Sequence, residues 1–225
     1  MSVDVAVVRV FTNAAGEFGN ALGIVDAAAV PLSDRQSLAA HLGFSETIFV
    51  ELPGGNTTTR AQIFTPATEL PFAGHPTVGL GWWLSELGFA VDAIDVPAGR
   101  VEVTRTNGLT KIRARADWAT DFTFHDLASA AEVEALDPAR FTDALHYAWA
   151  WTDEAAGAIR SRMFAPVLGI REDEATGAAA VRITALLERD LTITQGLGSQ
   201  IFTDYAADGW VHVGGRSVAE RTFSV

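Results

Sequence analysis

The chain has no cysteine, a single lysine (Lys111) and only two methionines and two tyrosines among its 225 residues. The missing thiol excludes disulfides, thiolate zinc sites, iron–sulfur clusters and every thiol nucleophile or acid/base, so any chemistry rests on oxygen and nitrogen groups. Basic residues are scarce, 16 against 28 acidic ones, and the net charge of −12 repels phosphate backbones and anionic lipid surfaces. Neither nucleic acid nor a membrane is an expected partner. No segment has the ~20 apolar residues of a bilayer-spanning helix, and the first residues lack a basic leader, so a cytoplasmic location is expected. Disorder is excluded in turn, because 48% hydrophobic residues, with 13 Phe and 6 Trp, can bury enough area to offset chain entropy. Familiar site motifs are missing too. There is no GxxxxGK[ST] loop and no GxSxG elbow, Gly79-x-Gly81 lacks a third glycine, and His41, His75, His125, His146 and His212 show no metal-ligand spacing.

What is present is organised as two similar units. In the first, strands are expected over Val3–Phe11 and Ala21–Val25, with Gly19-Asn20 in the turn between them. Ser33-Asp34-Arg35-Gln36 has the form of a capping box opening a helix at about 33–42, with Gly43 as its stop. A hairpin, Ile48–Leu52 and Thr57–Phe64, turns through Pro53-Gly54-Gly55-Asn56. Gly74-His75-Pro76-Thr77 then opens a helix to Leu87 that is apolar nearly all round and so belongs inside a domain. Strands at Ile94–Val96, Arg100–Thr104 and Thr110–Arg115 follow, the last two around the hairpin dipeptide Asn107-Gly108.

The second half repeats the plan. Phe64-Thr65-Pro66 precedes Gly74 and its helix; Phe164-Ala165-Pro166 precedes Ala175-Thr176-Gly177 and a helix over about Ala178–Arg189. Strands are expected at Leu191–Thr194, Gln200–Thr203 and Trp210–Val213, with Gly214-Gly215 as a turn. The reading is two domains, 1–116 and 117–225. Each buried helix offers unpaired N–H groups and a positive dipole end at its start, and if these ends face each other they define an anion-holding cleft. Glu46, His75 and Asp173 are then the candidate proton-transfer groups. Each also has a structural role open to it: Glu46 as a solvated surface acid, Asp173 as a dipole complement, His75 as a cap.

Read as ordered motifs, the sequence resembles the PhzF-like phenazine-biosynthesis family, relatives of diaminopimelate epimerase in fold. The matching residues are Val10-Phe11-Thr12, Gly19-Asn20, Leu42-Gly43-Phe44-Ser45-Glu46-Thr47, Phe64-Thr65-Pro66 and Glu69-Leu70-Pro71-Phe72-Ala73-Gly74-His75-Pro76-Thr77. Later come Arg162-Met163-Phe164-Ala165-Pro166, Glu172-Asp173-x-Ala175-Thr176-Gly177, Gln195-Gly196 and Val213-Gly214-Gly215. The resemblance implies an α+β fold of two pseudo-symmetric domains, each a curled, mainly antiparallel sheet or barrel around a central helix, the second shortened between about Asp117 and Arg162. It implies cofactor-free isomerisation of a small carboxylate-bearing metabolite in a homodimer, with no metal. Glu46 would move the proton, His75 and Asp173 would orient or polarise the substrate, and Gly19, Asn20, Ser45, Gly74, Thr77, Thr176 and Gly177 would surround it. A closed, dry cleft is expected to raise the Glu46 carboxyl towards neutrality. Two residues depart from the family pattern: Glu174 stands where proline is usual, and Ala178 where serine is usual. A carboxylate-binding protein without turnover, or a scaffold pairing through Trp-rich surface, are the alternatives.

Overall fold

The opening strand is buried on both faces, which is why its valines run on without alternation. In the computed structural model, which describes residues 2–225, Val5 and Val7 join an outer apolar cluster, whereas Val8 and Val10 face an inner one that continues through both halves of the molecule. The first half comprises β1 (Asp4–Thr12), β2 (Asn20–Asp26), α1 (Leu32–Leu42), β3 (Glu46–Val50), β4 (Thr58–Phe64), β5 (Glu69–Leu70), α2 (Gly74–Glu86), β6 (Ala93–Val96), β7 (Gly99–Thr106) and β8 (Leu109–Arg115). The second comprises β9 (Thr123–Asp126), α3 (Ala130–Glu134), β10 (His146–Asp153), β11 (Ala158–Ala165), β12 (Ile170–Asp173), α4 (Gly177–Leu187), β13 (Leu191–Gln195), β14 (Ser199–Tyr205) and β15 (Trp210–Ser224).

In the first half the strand order β1-β2-β3-β4-β6-β7-β8-β15 closes on itself, because β15 pairs with both β8 and β1. This barrel encloses α2, whose residues Gly74–Gly81 and Leu84 are buried. The outer cluster lies under α1. In the second half β15-β14-β13-β11-β10-β9 is an open sheet ending at β9, and α4 lies against β14 and β15. Most pairings are antiparallel; β2–β3, β4–β6, β9–β10 and β11–β13 are parallel.

Two local expectations are corrected. The capping box at Ser33 does not form: the helix begins at Leu32 after Pro31, no side chain caps it, and the Ser33 hydroxyl turns to its neighbour Asp34. Gly43 does close it, at φ 69° with its N–H on the Ala39 carbonyl. Gly214-Gly215 is not a turn but lies within β15. A Cβ on Gly214 would stand 2.3 Å from the Thr110 carbonyl oxygen, and one on Gly215 would stand 2.6 Å from the Phe11 ring, so the pair is required by close packing against strands remote in sequence. Through it the last strand leaves the second half, and from Arg216 to Ser224 it pairs with β1. A division at residue 116 therefore separates the sequence but not the sheets.

The sequence repeat has a structural counterpart. After Phe64, β5 folds back antiparallel on β4; after Phe164, β12 folds back on β11. Each return strand leads directly into a buried helix, α2 in one case and α4 in the other. This shared strand–return–helix unit aims both helix starts at the middle of the molecule.

Candidate active site

The starts of α2 and α4 meet. A Cβ on Gly74 would lie 2.9 Å from the Gly177 carbonyl carbon, and one on Gly177 would lie 2.8 Å from the His75 nitrogen, so only hydrogen at both positions lets the helices touch backbone to backbone. No side chain caps either helix. Their first-turn N–H groups and two positive dipole ends, worth about half a charge each, converge on one point. Two such ends repel each other unless negative charge lies nearby, and the sequence supplies it as Glu46 and Asp173. A cavity of about 20 Å³ at this point is lined by Glu46, Gly74, His75, Asp173, Gly177 and Ala178, among others. That is room for one water.

Glu46 is the first residue of β3, and its side chain is 17% exposed. Its Oε2 stands 3.1 Å from His75 Nδ1, within ion-pair distance but out of hydrogen-bond alignment, so among the described residues Oε2 has no hydrogen-bond partner, and neither has the buried His75 Nε2. Asp173 closes β12 and is buried. Its Oδ1 accepts from Asn20 Nδ2 at 2.7 Å and its Oδ2 from the Thr176 hydroxyl at 2.6 Å.

The two carboxyls are pushed in opposite directions. Burial raises Glu46, but attraction from the His75 imidazole 3.1 Å away, helped by the polar Ser45 beside it, outweighs it, and the group lies below its ordinary value. This corrects the expectation of a raised Glu46. For Asp173, burial and then the Glu46 charge push the carboxyl up to about 7, against the pull of Thr176, His75 and Asn20. Below about pH 7 the site therefore pairs an ionised Glu46 with a proton-carrying Asp173.

The other expected residues take varied places. Gly74, Thr176 and Gly177 line the cavity. Asn20 and Ser45 stand behind the carboxyls: Ser45 Oγ donates to Asn20 Oδ1 at 3.3 Å, and Asn20 Nδ2 also donates to the Ala175 carbonyl at 3.0 Å, bridging the halves. Thr77 is turned away, donating to the Ala73 carbonyl at 2.8 Å. Gly19 lies at a second bridge, where its N–H donates to Ser199 Oγ at 3.0 Å. Glu174 explains its own presence, since its carboxylate accepts from Ser199 Oγ at 2.7 Å and from the Leu197 N–H at 2.9 Å, pinning the β13–β14 turn. Ala178 presents a methyl to the cavity. Gln195 was legible only as a motif residue; here it is fully buried and bonded to both Asp173 and Thr176. Among the described residues no group of three His, Asp or Glu could hold a metal ion, and no helix is long and apolar enough to cross a membrane.

Two similar halves thus bring two carboxyls to paired helix starts. The family model for phenazine biosynthesis-like proteins matches residues 8–136 and 113–209. The chain is 31% identical over 215 residues to trans-2,3-dihydro-3-hydroxyanthranilate isomerase of Pseudomonas fluorescens, covering 76% of this chain and 75% of that one. It belongs to the phenazine biosynthesis-like, PhzF family, and it is an isomerase of that family. The fold agrees. A PhzF-family protein of Bacillus anthracis superposes with a TM-score of 0.79 over 100% of this chain and 99% of that one at 21% identity. One from Clostridium difficile does so at 0.79 and 22%, covering 99% of each chain.

Proposed function

We propose that the protein shifts a proton between two atoms of a small carboxylate-bearing metabolite without a cofactor, with Glu46 as the base that takes the proton from carbon and the acid that returns it. The observation that carries this reading is the convergence of two uncapped helix starts on a cavity lined by both Glu46 and Asp173. Removing a proton from carbon next to a carboxylate, or in a conjugated ring, builds negative charge on the acceptor oxygens. Backbone N–H groups already aimed at that charge stabilise it without reorganising. Glu46, now carrying the proton, delivers it to a second position, so the substrate is isomerised with no net proton change. Carboxyls whose environments push their proton affinities apart divide the base and acid roles: His75 keeps Glu46 ionised, and Asp173 offers a hydrogen bond to the developing oxyanion. A water-sized cavity cannot hold a metabolite, so binding widens the gap between the halves, and closure around the substrate excludes water from the step.

The test is a set of carbon acids incubated with the protein in deuterium oxide. Trans-2,3-dihydro-3-hydroxyanthranilate, the compound in the name of the Pseudomonas fluorescens relative, comes first. Deuterium entering a carbon position of a carboxylate-bearing compound supports the reading. Tight binding of such compounds with neither isotope entry nor conversion of any of them to an isomer would make the protein a carboxylate binder instead.

A further inference from the structure

Asp173 owes its hydrogen bonds to groups that are themselves held, and one side chain does most of the holding. Gln195, the last residue of β13, is fully buried. Its Nε2 donates to the Asp173 carbonyl and to Thr176 Oγ1, both at 2.9 Å, and its Oε1 accepts the Thr176 N–H at 3.3 Å. Only one orientation of the amide serves these partners, because a backbone carbonyl must face its NH₂ and a backbone N–H its oxygen. That orientation decides what Thr176 does. A threonine hydroxyl has a single proton, and with Gln195 donating to its oxygen that proton is free for Asp173 Oδ2, 2.6 Å away.

Gln195 is fixed in its turn. Arg160 donates to the carbonyls on either side of it, those of Thr194 and Gly196, while its Nε is paired with Glu134. Beyond the turn, Glu174 holds the Leu197 N–H and the Ser199 hydroxyl. Every partner on this path is supplied by the second half of the chain.

We propose that Gln195 is a positioning residue for the reaction: it commits the Thr176 hydroxyl to donating into Asp173 and so sets how readily that carboxyl holds its proton. The role rests on the reading of Asp173 as the acid of the site. The titratable groups facing Asp173 are Glu46 from β3 and His75 from α2, whereas the hydrogen bonds of the Gln195 amide go to Asp173 and Thr176. A hydrogen bond donated to a carboxylate favours its ionised form, so losing a committed donor raises the carboxyl further.

The experiment follows the Asp173 carboxyl by ¹³C NMR in protein labelled at aspartate carboxyls, with Asp173→Asn identifying the signal. It needs no substrate. In Gln195→Met, of similar length but without polar atoms, the Asp173 midpoint should rise by about one pH unit, roughly tenfold in proton affinity. Thr176→Val should raise it by a similar amount, and the double variant by no more than either single one, because both act through the same hydroxyl. Thr176→Ser, which keeps the hydroxyl, should restore the wild-type midpoint. If Gln195→Met does not fold, Gln195→Leu replaces it; it too removes the amide without adding a charge, and the same rise is expected. An unmoved midpoint in the Gln195 variant while Thr176→Val moves it, or additive shifts in the double variant, would overturn the proposal. This outcome is independent of turnover, so failure of the isomerase mechanism would appear in the isotope assay and not here.

Discussion

Replacing Gly74 by alanine sets two forces of known sign against each other. Alanine is favoured over glycine by up to about 1 kcal/mol in a helix and restricts the unfolded chain, so local propensity predicts a more stable protein. The contact across the helix junction predicts the reverse. The new Cβ would stand 2.9 Å from the Gly177 carbonyl carbon, 3.0 Å from its Cα and 3.2 Å from the Ala178 nitrogen. All three are backbone atoms at a helix start, and none can swing aside. Restoring ordinary contact requires the two helices to part by roughly half an ångström, and overpacking of this kind costs about 1–3 kcal/mol. At the first helical position the propensity gain is small, so the clash wins by about 1–2 kcal/mol, a fall of roughly 3–6 °C in Tm for a chain of this size. The same displacement moves the N–H groups away from the reacting centre. Since a misplacement of about 1 Å can cost a hundredfold in rate, half of that should cost on the order of tenfold. Urea and thermal unfolding, with isotope exchange on an identified substrate, measure both effects. A Gly74→Ala protein as stable as the wild type, with undiminished exchange, would refute the backbone-to-backbone junction.

Two further perturbations test the electrostatics and the open second half. Burial and the Glu46 charge raise folded Asp173 from 3.8 to about 7, so the folded state holds a proton that the unfolded chain releases, and this stability is present at low pH and lost as pH rises through about 7. Asp173→Asn has no proton to lose; its unfolding free energy relative to wild type should improve by on the order of 1 kcal/mol per pH unit between about pH 4 and 7, and a pH-independent difference would contradict the assignment. Arg162 donates to both Glu172 oxygens, at 2.7 and 2.6 Å, and to the carbonyls of Val133, Glu134 and Leu136 that end α3. Arg162→Met should cost about 2–3 kcal/mol in urea unfolding, and adding Glu172→Gln little more, since the two act as a unit; full additivity would show that Arg162 is not the tie.

What the sequence revealed and what it hid divide along physical lines. Features set by neighbours in the chain were legible. The helix at Gly74 showed in its all-round apolar surface, the β7–β8 hairpin in Asn107-Gly108, whose residues take φ 54° and 75°, and the repeat in its two Phe-x-Pro signatures. Features set by remote contacts were not. Gly214-Gly215 resembles a turn in isolation, and only Thr110 and Phe11 on other strands show why glycine is needed there. Ser33 has the sequence of a cap, but its hydroxyl binds Asp34 and Pro31 precedes the helix. The direction of the Glu46 shift depends on an imidazole 29 residues away in sequence, which together with Ser45 outweighs the burial expected of a closed cleft. Gln195 carries no signal of its own, because a polar residue ending a strand becomes meaningful only when Asp173 and Thr176 are folded against it.

Whether Glu46 itself moves the proton is decided by comparing wild type and Glu46→Gln in deuterium oxide on a substrate that the wild type labels. Glutamine keeps the shape and cannot take a proton from carbon. Label uptake should fall by at least about a hundredfold, in line with loss of a positioned acid–base group, while the variant still binds the compound. Uptake at the wild-type rate by a folded, binding-competent Glu46→Gln protein would contradict that role.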